Sequence, residues 1–160
     1  MIKKKEIVGH AWYMEHALAQ ARKALAHNEV PIGAVVVDAR GIILASAYNK
    51  VERTHTQRAH AESLVMEKAA KKLSDWRLQD CWLYVTLEPC GMCMHLAMMS
   101  RVKGLVYGAP SPLFGYHLDE ALVNQLYKKH ALEIISDVCS NDASELLKKF
   151  FKQKRIENRG

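Results

Sequence analysis

The chain has 160 residues, of which 49% are apolar and 25% charged; this suits a single folded domain over 1–160 and excludes a disordered or fibrous polymer. No stretch approaches the about 18 consecutive apolar residues that span a bilayer, and Lys3, Lys4 and Lys5 precede no unbroken apolar signal core, so a cytoplasmic protein with no membrane contact is expected. The net charge of +6 permits an anionic partner without identifying one.

Residues 12–28 place Met14, Leu18, Ala21 and Leu25 at alternating spacings of four and three, the pattern of a helix with one apolar face. Residues 33–37 and 41–47 are short β-branched apolar runs. The turn chemistry of Asp38-Ala39-Arg40-Gly41 between them predicts an antiparallel hairpin. A polar connection over 49–58 leads to a helix over 59–73, buried through Leu64, Val65, Ala69 and Leu73. A strand over 82–86, a helix over 89–100 with Pro89 in its first turn, and a strand over 102–107 follow. Pro110, Pro112 and Gly115 mark a loop, residues 132–136 a last strand and residues 141–154 a terminal helix. Helices interleaved with strands in this order predict a layered α/β sandwich.

Cys90-Gly91-Met92-Cys93 puts two thiols three positions apart, on one side of a helix's first turn, where the positive end of the helix favours thiolates. The cytosol would keep these and Cys81 and Cys139 reduced, which favours metal or catalytic chemistry over a disulfide framework. A thioredoxin-like redox pair would come after the first strand of a βαβ unit, and this one follows a hairpin and two helices. His60-Ala61-Glu62 opens another helix. One imidazole and two thiolates make the three-ligand set of a catalytic zinc site; a fourth ligand from His55, His95, Cys81 or Cys139 would make it structural. His95 lies about 200° round the helix from Cys93, whereas His55 sits in a loop able to fold inward. Glu62 is either a favourable charge in a first helical turn or, beside an activated water, a proton shuttle.

His-x-Glu followed by Pro-Cys-x-x-Cys is the signature that zinc nucleobase deaminases carry, and His60-Ala61-Glu62 with Pro89-Cys90-Gly91-Met92-Cys93 matches it. More narrowly, the chain resembles the bacterial tRNA adenosine deaminases. The likeness runs through Glu29-Val30-Pro31-Ile32-Gly33-Ala34-Val35, Trp76-Arg77-Leu78, Leu83-Tyr84-Val85-Thr86-Leu87-Glu88-Pro89-Cys90 and Leu146-Leu147-Lys148-Lys149-Phe150-Phe151-Lys152. The resemblance implies a deaminase core over about 8–155, folded as a cytidine deaminase-like αβα sandwich in three layers with a mixed sheet of about five strands. It implies a zinc ion on His60, Cys90 and Cys93, with Glu62 catalytic. It also implies that Asn49 and the Ala61 backbone N–H contact the base and that Glu88 supports the site from behind. The implied activity converts adenosine to inosine at the tRNA wobble position, with the anticodon arm as partner and a homodimer as the assembly.

Two segments depart from that family's pattern: Thr56-Gln57-Arg58 stands where an Asp-Pro-Thr is usual, and Ser111-Pro112-Leu113 where an Asp-Pro-Lys type is. By resemblance both line the substrate entrance, which admits a different reading, a deaminase of free guanine or cytosine with the same zinc chemistry. A non-catalytic RNA-binding module with a closed zinc site is the reading from another class. Phe114, Tyr116 and His117 offer stacking faces for splayed bases; equally, Leu113 and Phe114 suit packing of the loop or of a subunit interface. The terminal cluster Lys148, Lys149, Lys152, Lys154 and Arg155 is either a solvated face or a phosphate contact.

Overall fold

The structure, a computed structural model, describes residues 9–119 and 132–160; Lys3, Lys4 and Lys5 lie outside the described residues. Two short apolar runs, Gly33–Val37 (β1) and Ile43–Tyr48 (β2), form the expected hairpin, with Asp38 Oδ1 accepting the Arg40 and Ile42 N–H groups at 2.9 Å in its turn. β1 also pairs antiparallel with Trp82–Leu87 (β3), which runs parallel to Gly104–Ala109 (β4), itself parallel to Glu133–Ile135 (β5). The strand order is therefore β2-β1-β3-β4-β5, a mixed five-stranded sheet.

Alternation along β1 decides what covers each face, because successive side chains of a strand point to opposite sides. Ala34 and Val36 join Leu83, Val85 and Leu105 against Ala61–Leu73 (α3) and Gly91–Met99 (α4). Val35 and Val37 join Tyr84 and Val106 against His10–Ala26 (α1) and Ser140–Glu157 (α5). The result is the αβα sandwich in three layers that was expected. Among the described helices none is long and apolar enough to cross a membrane.

The close packing of α1 on β1 depends on Gly33. A Cβ there would fall on Ala17 O and Ala21 N, both backbone atoms of α1 that no side-chain rotation can move. Gly33→Ala should therefore destabilise by about 1–3 kcal/mol, through displacement of α1 from the sheet. Urea denaturation should show the midpoint falling at an unchanged slope.

The structure corrects several boundaries. The polar connection after β2 contains one helical turn, Val51–Thr54 (α2), whose Glu52 and Arg53 N–H groups are capped by the buried carboxylate of Glu29. Pro89 lies outside its helix: Cys90 is the N-cap, with extended backbone (φ −71°, ψ 168°), and Pro89 gives its carbonyl to Tyr116 N–H. The 110–115 loop closes with a 3₁₀ turn, Tyr116–Asp119.

Candidate functional site

β2 and β3 are each antiparallel to β1, so they run in the same direction and their carboxyl ends share one edge of the sheet. Asn49 leaves β2 at that edge, and Glu88, Pro89 and Cys90 leave β3. The chain returns beside them at His60, because Lys50 N–H donates to Ala59 O at 2.9 Å. His60 is the N-cap of α3, as Cys90 is of α4, so the positive ends of two helices converge on one point. There His60 Nδ1 lies 3.6 Å from Cys90 Sγ and 3.4 Å from Cys93 Sγ, and the three ligand atoms all lie within 4.8 Å of one another. Cys93 is buried while His60 and Cys90 are half-buried, which leaves the cluster approachable from one side.

Protons are shared tightly in this cluster. The hydrogen bond from Cys93 and a second from His60 pull the Cys90 thiol down to about 4, while Cys93, keeping that proton and buried, is pushed up. The bond to Cys90 raises His60. One nitrogen and two sulfurs are a donor set that suits a borderline-soft divalent ion, and zinc accepts it in tetrahedral sites.

Glu62 stands in the first turn of α3 beside this cluster, only 4% exposed. Among the described residues its Oε2 is a buried polar side-chain atom with no hydrogen-bond partner. Burial pushes the carboxyl up to about 7. An orphaned buried carboxylate oxygen costs on the order of 1–3 kcal/mol, which a purely structural residue has no reason to bear. Such a group is suited to exchanging protons near neutrality.

The other ligand candidates go elsewhere. His95 Nδ1 bonds Gly91 O of its own helix at 2.7 Å. Cys81 packs in the core, where burial pushes its thiol up to about 11. Cys139 caps α5 on the opposite face of the sheet, and His55 is an exposed left-handed residue ending α2. Among the described residues none of these joins the group formed by His60, Cys90 and Cys93.

Asn49 is buried at the end of β2, its N–H donated to Ile32 O at 3.0 Å. Ala61 is the first residue of α3; its methyl packs into the core, and its N–H belongs to the helix end, where no intrahelical acceptor exists. Glu88 is buried and gives both oxygens to the 111–117 loop: Oε2 to Ser111 N–H at 2.9 Å, Oε1 to His117 N–H at 3.3 Å and to His117 Nδ1 at 2.6 Å. Two participants were not singled out from the sequence for these parts. Gln57 reaches His60 Nε2 at 3.3 Å, the ring nitrogen turned away from the sulfurs, and Gly115 lies against the Glu88 carboxylate, where any Cβ would collide. The only sequence signal for either was their place in loops near the two motifs.

The MafB19-like deaminase family model matches residues 8–155. The tRNA-specific adenosine deaminase of Bacillus subtilis is 42% identical over 146 residues, spanning 89% of each chain. A structure from work on A-to-I editing by tRNA:A34 deaminases at the wobble position of transfer RNA superposes with a TM-score of 0.79 at 37% identity, over 84% of this chain and 98% of that one. A guanine deaminase from Bacillus subtilis superposes with a TM-score of 0.61 at 32% identity, over 75% and 73%.

Proposed function

The chain belongs to the MafB19-like deaminase family and is related over most of its length to bacterial tRNA-specific adenosine deaminases, and from that membership we propose that it hydrolyses adenosine to inosine at the wobble position of a tRNA, using zinc. The observation that carries the reading is the meeting of His60, Cys90 and Cys93 within 4.8 Å beside the unpartnered Oε2 of Glu62.

His60 Nδ1, Cys90 Sγ and Cys93 Sγ would hold the ion. Bound there, zinc supplies a Lewis acid that brings the pKa of water from about 16 toward 7. Glu62 Oε2 takes a proton from the attacking water as its oxygen bonds to the purine carbon bearing the amine. Glu62 then delivers that proton to the adjacent ring nitrogen. It carries the water's remaining proton, now on the hydroxyl of the purine carbon, to the amine; the carbon–nitrogen bond breaks as the carbonyl forms, and ammonia leaves. Glu62 is suited to both directions because burial holds its carboxyl at about 7. Asn49 and the Ala61 N–H, at the sheet edge and helix end beside the cluster, are placed to orient the splayed base.

The partner is the anticodon arm of a tRNA, and the protein works in the cytoplasm. The basic residues Lys148, Lys149, Lys152, Lys154 and Arg155 of α5 suit a phosphate backbone. A homodimer is supported by Met92, Leu96 and Met99, which leave 44%, 36% and 60% of their surface exposed along one side of α4.

The second reading, deamination of a free base, is favoured by the structural likeness to a guanine deaminase. Incubation of the purified protein with tRNA and, separately, with a nucleobase panel distinguishes the two. Inosine at a single anticodon position is the expected outcome; ammonia released only from free bases would overturn the tRNA reading.

A further inference from the structure

Loop 111–117 is tied to the ligand-bearing segment along its whole base. Gly115 forms a β-bridge with Cys90, Tyr116 N–H donates to Pro89 O at 2.8 Å, and Gly115 N–H closes the loop on Ser111 O at 2.9 Å. The Glu88 carboxylate, with a side chain 2% exposed, sits under it and takes Ser111 at one end and His117 at the other. Lifting the loop would strand a buried carboxylate without donors, so the loop is held more firmly than an irregular surface segment ordinarily is. Its tip is different. Leu113 and Phe114 are 74% and 75% exposed, two large apolar side chains displayed beside the residue that bridges Cys90.

We infer that His117 is a positioning residue that, through Glu88, fixes loop 111–117 across the Cys90 segment so that Phe114 stacks on an unpaired RNA base neighbouring the reacting adenosine. The inference rests on the tRNA reading and deepens it. A base splayed into the cluster leaves its neighbours unstacked at the rim, and an aromatic face there replaces the lost stacking. Arg53 and Arg58, both exposed on the connection that leads into His60, place positive charge beside the cluster, which favours a polyanion over another protein surface as the occupant. Holding the loop in advance removes the ordering cost that a free loop would charge against binding. The pairing depends on the Nδ1 donor at 2.6 Å, which alanine lacks and an asparagine amide supplies.

The test uses the zinc-loaded protein and an anticodon stem-loop RNA, with inosine formation, fluorescence anisotropy of the labelled RNA and zinc content as readouts. Phe114→Ala should raise KM and Kd about tenfold with little change in kcat, and Phe114→Tyr should leave both near wild type. His117→Ala should raise KM in the same way, His117→Asn should recover most of it, and zinc content should hold throughout. The inference is overturned if Phe114→Ala leaves KM and Kd within about twofold of wild type. It is overturned equally if His117→Ala lowers kcat and zinc content at constant KM, which would make the pair a support for the metal segment alone. A Phe114→Ala protein that converts from dimer to monomer in light scattering would assign the side chain to a second copy instead. Wild-type protein that forms no inosine from the stem-loop fails the tRNA reading as well; inosine formation indifferent to Phe114 fails this inference alone.

Discussion

Glu62→Gln, with zinc fully bound, should deaminate at least about a hundredfold more slowly than wild type, corresponding to about 3 kcal/mol or more of lost transition-state stabilisation. The substitution keeps the shape of a side chain that is 4% exposed and removes its ability to take up and return a proton. The fold should be undisturbed, because the unpartnered Oε2 contributes no hydrogen bond that the amide would forfeit. Steady-state kinetics should therefore show the loss in kcat, with substrate binding and zinc content retained. Activity above a few per cent of wild type would remove Glu62 from the proton-transfer role.

Cys93→Ala should reduce bound zinc to a trace and deamination to background. Loss of an outer partner of a metal ligand costs about 10–100-fold in affinity, and loss of one of three protein ligands should cost more. Cys93 is fully buried and supplies the donor on the closed side of the cluster, where no other described His or Cys stands within reach. Cys81→Ala is the matching control: its thiol packs in the core, so some stability is lost and the zinc is kept. Metal analysis of the two variants checks the pair of outcomes. A chelator applied to wild-type protein should abolish activity and lower the melting temperature, and added zinc should restore both, since a ligand of the folded state stabilises it by mass action.

Much of this architecture is readable along the chain. The unbroken apolar run Ala34-Val35-Val36-Val37 is the composition of a strand buried on both faces, and the structure places helices on both. The helix of Ala61–Leu73 follows from its apolar spacing, and its start at His60-Ala61-Glu62 follows from the motif. The start of α4 was less legible. Pro89 is well suited to a first turn, yet the Tyr116 N–H, twenty-seven positions away, takes its carbonyl and holds it outside the helix. α2 was missed because its single turn is stabilised by Glu29 from a distant segment rather than by its own side chains.

By itself the sequence determined the reaction class. Two thiols three residues apart and a carboxylate two residues past an imidazole are local relations in the chain, and it is their match to the signature of zinc nucleobase deaminases that names the chemistry. Only the tertiary structure decided which ligand candidates meet. His55, in a loop able to fold inward, stayed eligible on the sequence and is excluded because it ends α2 exposed to solvent; Cys81 is claimed by the core, and His95, already turned away by the helix repeat, bonds a carbonyl of its own helix. Burial is likewise a property of the packed molecule: Glu62 becomes a high-pKa carboxyl with one unpartnered oxygen because α3 docks on the sheet. The contact of Glu88 with His117 joins residues 29 apart and is set by how loop 111–117 closes over the Cys90 segment. Contacts of that kind depend on strand register and loop closure, which no local pattern encodes.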